Sequence, residues 1–416
     1  MPGLHCTGGR AARICGDMPS TLPRRSFLLA AGAGAALAQS SAAPVRLGLI
    51  GSGGRGRTVL GEFKKDPALE PRAVCDVYEP NLEAGLSAAG PGAKAYRDYR
   101  ALLDDREIDA VLIATPEHWH HRMALDAMAA GKDLYIEKPL CHTPEEGKQL
   151  VEAWRGSDRI VQVGMQRRSY NLYREARDLR RDGRLGEVRM VRTYWLNSQT
   201  SARQADFQGP IDWKQWLGPA AERTGAIPPN PTHFFNWRHL KAYAGGIVID
   251  QGAHIYDSIH MIMDAGYPTA VNASAGPADV EGIDQPLSVV VIAEYPQDFL
   301  AVFTINYRAM KYESRADQLN CYDGDKARMD IGRELLRIYD SASPAQPAVS
   351  KEQPGGFAQA TTDHVANFLH CVRTREQPVA PMDKGFQAAL ILQLANRSLE
   401  TGRRVRWNAE TLTAEV

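Results

Sequence analysis

The run Val45-Arg46-Leu47-Gly48-Leu49-Ile50 breaks into Gly51-Ser52-Gly53-Gly54-Arg55-Gly56, and no other segment narrows the fold of this chain as far. An apolar strand that ends in spaced glycines and then opens a helix begins a βαβ unit built around a dinucleotide. Gly51 permits the tight turn, Gly53 lets backbone approach a pyrophosphate, and Gly56 allows the helix to pack closely. The first helical N–H groups, from Gly54 and Arg55 onward, then face the phosphates. Asp76 closes the next predicted strand about 20 residues later, the position of the carboxylate that holds the ribose hydroxyls. A carboxylate there repels a 2′-phosphate, so NAD is expected over NADP.

From residue 45 onward, short apolar runs alternate with helical stretches, the pattern of a parallel sheet. Strands are predicted at 46–50, 71–76, 110–114, 133–137 and 160–163, giving a doubly wound Rossmann domain over 39–166. The texture then changes to longer strands rich in β-branched and aromatic residues, at 188–197, 270–275, 286–294, 300–307 and 316–322. Their short links suit antiparallel neighbours. The fold class is therefore α/β, with a second domain at 167–416 that carries a large, open, mostly antiparallel sheet. Residues 217–236 read as a long irregular loop, 341–356 as a surface linker, and 362–374 and 384–401 as helices.

Ahead of the first strand, Arg24-Arg25-Ser26-Phe27-Leu28 opens an apolar stretch that ends in Ala36-Leu37-Ala38. This is the pattern of a twin-arginine (Tat) export signal at 1–38, with Met18 the more usual start. Its apolar run is too short for a membrane span, which takes about 20 residues. A periplasmic or secreted destination follows, with the Tat machinery as a partner. Lys plus Arg equals Asp plus Glu, 49 each, so nothing favours nucleic acid. Cys75, Cys141, Cys321 and Cys371 are widely spaced and read as buried small hydrophobes, neither disulfides nor zinc ligands.

Two further segments lie at predicted strand ends, where open α/β sheets bind ligands. They are Ala114-Thr115-Pro116-Glu117-His118-Trp119-His120-His121 and Tyr135-Ile136-Glu137-Lys138-Pro139. A lysine at such a mouth polarises a hydroxyl or carbonyl. Asp250 and His254 are four apart and share one helix face, and a histidine titrates near neutrality, as a general base needs. The longer series Asp250, His254, Asp257, His260 is also compatible with a metal cluster or with a capped, core-packed helix; no metal is expected.

The ordered series of the glycine fingerprint, Thr115-Pro116-x-x-x-His120, Glu137-Lys138-Pro139 and Gly245-Gly246-x-x-x-Asp250-x-Gly252-x-His254 resembles the Gfo/Idh/MocA oxidoreductases. The match runs from about residue 45 to about 408, and the wording lies closest to the secreted branch. The resemblance implies hydride transfer between a sugar or polyol carbon and NAD, with Lys138, Asp250 and His254 catalytic. It places the cofactor on Gly51, Ser52, Gly53, Gly54, Arg55, Gly56, Asp76, Thr115, Pro116, His120, Glu137 and Lys138. It also implies a homodimer or homotetramer. Gln166, Arg167, Trp237, Arg238 and Tyr243 are candidates for the carbohydrate pocket, with Gln162, Asn236 and Trp195 near them.

A periplasm has no obvious free NAD pool, so the dinucleotide is expected to be tightly bound. The leading expectation is an exported NAD-dependent sugar or glycoside oxidoreductase. The alternatives are an NAD-dependent glycosidase or lyase that works by transient oxidation, and a non-catalytic sugar-binding protein.

Overall fold

The computed structural model describes residues 43–199, 201–313, 317–342 and 344–416. The leader expected at 1–38 lies outside them.

The N-terminal half runs β1 (Val45–Ile50), α1 (Gly54–Phe63), β2 (Leu69–Cys75), α2 (Glu79–Ala89), β3 (Lys94–Tyr96), α3 (Tyr99–Leu103), β4 (Ala110–Ile113), α4 (His120–Ala129), β5 (Asp133–Ile136), α5 (Pro144–Arg155) and β6 (Val161–Val163). All its strand pairs are parallel, in the order β3-β2-β1-β4-β5-β6. The order reverses between β1 and β4, the topological switch point where ligands bind such sheets. Five of the six strands match the sequence reading. Edge strand β3 was not foreseen, because Lys-Ala-Tyr is short and leaves its lysine and alanine exposed.

The C-terminal half continues through α6 (Asn171–Arg181), β7 (Val188–Leu196), α7 (Trp213–Leu217), α8 (Ala221–Thr224), α9 (Pro231–Phe235), α10 (Gly246–Met263), β8 (Ala270–Ala275), β9 (Ser288–Glu294), β10 (Leu300–Asn306), β11 (Gln318–Gly324), β12 (Ala327–Ile331), β13 (Leu335–Asp340), β14 (Val349–Glu352), α11 (Gly356–Thr374), α12 (Met382–Thr401), β15 (Val405–Asn408) and β16 (Thr413–Glu415). The ten strands order as β14-β13-β12-β11-β7-β10-β9-β8-β15-β16, with only the β7–β10 pair parallel. One face packs on α6, α10 and α12.

Two sequence expectations change. The stretch 217–236 is not wholly irregular: α8, α9 and the end of α7 break it into short helices. The segment 341–356 holds β14, which extends the sheet past β13 instead of linking two parts. Both elements are too short, and too polar on one side, to leave a periodic signal.

The predicted boundary at 166/167 falls just past β6, yet the halves share their packing. Helix α11 returns from the far end of the chain to cover the first sheet, where Phe368 meets Phe63 edge to face at 5.9 Å. All four described cysteines are free and buried. No helix among the described residues is long and apolar enough to cross a membrane.

Candidate active site

The glycine turn has the shape the sequence demands. Gly51 sits at φ 86°, and a side chain there would come within 2.8 Å of Ala114 and Thr115 backbone. A side chain at Gly56 would lie 2.1 Å from the Gly51 carbonyl, so only glycine lets α1 start this close to β1. Helix α1 opens on Gly53 with no side chain capping its first N–H groups. Those free donors face a cleft of about 510 Å³ lined by Gly51, Gly53, Gly54, Arg55, Asp76 and the Thr115-Pro116 turn. Uncapped donors above a roomy cleft, with a carboxylate at its far wall, fit the pyrophosphate and ribose of NAD.

Ser52 has a different job from the one expected. It is fully buried, and its N–H donates to Asp76 Oδ2 at 2.8 Å while its hydroxyl donates to the Asn81 carbonyl at 2.7 Å. With the Tyr78 N–H on Oδ1 at 3.0 Å, this fixes the Asp76 carboxylate at the cleft wall. Burial still pushes the Asp76 carboxyl above its ordinary range, against those backbone bonds. Gly56 likewise serves packing and does not line the cleft.

A second cavity of about 220 Å³ adjoins the cleft through shared Arg55, Thr115, Trp237 and Arg238. Lys138, Asp250, His254, Glu137 and Gln166 line it. Lys138 precedes Pro139 across a cis peptide bond at the end of β5. Its ammonium donates to the Asp250 carbonyl at 2.6 Å and to Asp250 Oδ1 at 2.7 Å. Burial alone would raise the Asp250 carboxyl, but Lys138 and Arg238 outweigh it and hold the group at about 2.

One helical turn along α10, His254 is kept neutral. Burial, then the charges of Lys138, Arg167 and Arg55, push its imidazole well below the ordinary value. Its Nδ1 is buried without a partner, so Nε2 is the nitrogen left to meet a ligand. Asp257 and His260 do not join this group. Asp257 Oδ1 pairs with Arg168 at 2.6 Å, and His260 Nε2 lies 2.9 Å from the Tyr295 hydroxyl. Among the described residues no cluster of three potential metal ligands occurs.

The remaining motif residues build the frame. His120 is buried and spans two loops, with Nδ1 2.7 Å from the Pro139 carbonyl and Nε2 2.9 Å from that of Thr115. It ties the Thr-Pro turn to the lysine loop and touches neither cavity. Glu137 pairs with Arg55 at 2.7 Å, linking the lysine loop to the glycine turn.

Three substrate candidates turn inward. Arg167 is 1% exposed and lies against the Tyr173 and Trp195 rings. Tyr243 is fully buried, its hydroxyl 2.8 Å from His233 Nδ1. Gln162 donates to the His364 carbonyl. Of the candidates, Gln166, Trp237 and Arg238 do reach the cavity.

Sequence reasoning missed four contributors. Phe357 and Thr361 reach the cavity from α11, more than 100 residues from the motifs, and no local signal marks them. Arg203 lines the cleft from an irregular segment. Glu117, inside a quoted motif, is fully buried and accepts the Gly245 N–H at 3.2 Å at the start of α10. Burial, then the Asp250 charge, pushes its carboxyl up to about 8.

Residues 201–243 also wall the cleft, through Arg203, Trp216 and Phe234 among others. Ile211 forms a β-bridge with Tyr78, two residues beyond Asp76. The Glu79 N–H donates to the Pro210 carbonyl at 2.9 Å, the Asp212 N–H to the Val77 carbonyl at 2.8 Å, and the Gln208 N–H to the Tyr78 hydroxyl at 2.8 Å.

Comparison with known proteins bears on the family and the fold. Inositol 2-dehydrogenase 2 of Saccharopolyspora erythraea is 32% identical over 155 residues, 37% of this chain and 46% of that protein. Glycosyl hydrolase family 109 protein 1 of Shewanella sp. is 36% identical over 116 residues, 26% of this chain and 25% of that protein. The chain thus spans half or less of the length of these curated relatives. The fold resembles that of levoglucosan dehydrogenase in complex with NADH and levoglucosan, with a TM-score of 0.69 at 19% identity over 87% of this chain and 99% of that one. Residues 45–165 match the model of the Gfo/Idh/MocA oxidoreductase family, NAD-binding Rossmann fold, and 173–325 match the family's C-terminal domain. With both of its domains matched in order, the chain belongs to the Gfo/Idh/MocA oxidoreductase family.

Proposed function

We propose that this protein is an exported NAD-dependent oxidoreductase that oxidises a hydroxyl-bearing carbon of a sugar or glycoside and keeps its dinucleotide between turnovers. The observation that carries the reading is the Lys138–Asp250–His254 group in a cavity that opens onto the glycine-turn cleft. Gly51, Gly53, Gly54, Asp76, Thr115 and Pro116 would hold the NAD, which when bound supplies a two-electron acceptor at its nicotinamide. His254, neutral throughout the physiological range, takes the substrate hydroxyl proton at Nε2. The Lys138 ammonium stabilises the alkoxide that develops there, and Asp250 holds that ammonium in place.

Export rests on the Arg24-Arg25 leader, and cofactor retention rests on the 207–212 strap bonded to Val77, Tyr78 and Glu79, next to Asp76. Self-association through the open face of the second sheet, as a homodimer or homotetramer, is favoured by Met190, Val290 and Leu300, each more than a third exposed on that face.

A second reading is redox-neutral cleavage: transient oxidation acidifies a neighbouring C–H, the aglycone leaves by elimination, water adds across the resulting double bond, and the carbonyl is reduced again by the hydride first removed. The segment shared with a relative named as a glycosyl hydrolase favours it. Denaturing the purified exported protein and assaying the supernatant should release close to one NAD per chain. A glycoside panel then separates the readings, ketone products for the first and free sugar for the second. Protein that neither releases nor binds dinucleotide would refute both.

A further inference from the structure

A third cavity, of about 460 Å³, lies beside the catalytic one and shares Arg238 with it. It also shares Arg203 and Phe235 with the dinucleotide cleft. Its polar lining is one-sided: Arg203, Arg238 and His239 with amides and a serine, and among the described residues no carboxylate.

Both arginines are held on aromatic faces. Arg203 lies over the Phe235 ring at 5.0 Å and Arg238 over the Trp237 ring at 4.3 Å. A guanidinium placed in this way keeps its fork of N–H donors free at the edge. Asn236, 4% exposed, anchors the Arg203 backbone by accepting its N–H at 2.7 Å and donating to its carbonyl at 3.0 Å. No described carboxylate lies within ion-pair distance of Arg203. The one near Arg238, Asp250 at 3.5 Å, is already bonded to Lys138 and Gln251. His239 completes the wall, its Nε2 3.2 Å from the Gln199 amide nitrogen and its Nδ1 buried away from the cavity.

Neutral sugar hydroxyls donate as well as accept, and sites built for them mix donors with strong acceptors. A pocket edged by two guanidinium groups, one with no described carboxylate in reach and the other sharing Asp250 with Lys138, instead matches a group that only accepts and is charged. Building on the proposed oxidoreductase function, we propose that this third cavity is a subsite for an anionic substituent of the sugar, a carboxylate or a phosphate ester, held by Arg203 and Arg238 while a ring hydroxyl faces His254.

The test uses the full exported chain with its dinucleotide. Methyl glycosides of glucuronate, galacturonate and mannuronate are compared with their neutral hexoside parents, and hexose 6-phosphates with free hexoses. Binding is read by calorimetry and by quenching of tryptophan fluorescence. The acidic member of at least one pair should bind about ten- to a hundredfold more tightly. That advantage should shrink as salt is raised and disappear in Arg203→Gln and in Arg238→Gln. The arm showing the advantage distinguishes carboxylate from phosphate. Equal binding of acidic and neutral members throughout overturns the subsite, as does an acid preference that survives in Arg203→Gln. A fall in co-purified dinucleotide in Arg203→Gln also overturns it, because the arginine then serves the pyrophosphate. Acid-selective binding without turnover of any sugar would leave the subsite standing and defeat the enzyme reading. Turnover of neutral sugars with no acid preference would do the reverse.

Discussion

The two sheets expose themselves to the rest of the molecule in opposite ways. Every residue of β4, β5 and β6 is buried, whereas β9 and β10 alternate buried and part-exposed positions. The first sheet is covered on both faces, so it can act only at its strand ends, and the glycine turn, the Thr-Pro turn and Lys138 all sit there. The second presents a whole face, on which Met190 and Leu300 stand side by side across β7 and β10. Chemistry at an edge depends on a few exact atoms, while association over a face depends on area. Substitutions in the two regions should therefore fail differently.

The largest effect is expected at the strand-end site. His254→Ala should lower turnover about 10²–10⁴-fold, the usual contribution of a positioned general base. Steady-state kinetics with the co-purified dinucleotide checks this, and unchanged turnover would remove the acid/base assignment. Lys138→Ala is a harsher probe, because it also strands the buried Asp250 charge at about 3–5 kcal/mol.

The face is probed next. Leu300→Lys puts an ammonium beside Met190 on the exposed face and should shift sedimentation from oligomer to monomer without a comparable loss of turnover per folded chain. A wild-type protein that sediments as a monomer at micromolar concentration would break this half of the comparison.

The smallest effect sharpens the strand-end region from within. Asp250 and Glu117 are buried carboxyls near one another, one held at about 2 by Lys138 and Arg238, the other raised to about 8. The folded chain binds a proton on Glu117 that the unfolded chain gives up above about 4.5. Stability from this group is therefore full below that value and is lost as pH rises towards 8. Glu117→Gln should flatten the fall in melting temperature between about pH 5 and 8 by a few degrees. A pH profile identical to wild type would place Glu117 in its ionised form.

The Rossmann half was legible because its requirements are local. Gly51, Gly56 and Asp76 are dictated by backbone geometry within one βαβ unit, and all three stand where the spacing put them. Asp250 and His254 were legible for a similar reason, as two positions on one helix face. Residues whose role depends on distant packing were not. Arg167 follows the last Rossmann strand, where pocket residues are expected, yet the chain turns it under β7 against Trp195. Phe357 and Thr361 enter the cavity because α11 returns to the first sheet, where Thr362 meets Glu62 across 300 residues of sequence. Tyr243 satisfies its hydroxyl on His233 and joins the aromatic cluster of Trp213 and Trp216.

The strap between residues 207 and 212 bears on rates as well as on affinity. Its backbone bonds to Val77 and Glu79 lie beside Asp76, at the adenosine end of the cleft. Under the proposed function, retention of NAD requires that bridge to stay closed, so the exchange rate of bound dinucleotide should follow the frequency of local loop opening. Protein refolded without NAD should then load added dinucleotide more slowly than protein refolded in its presence.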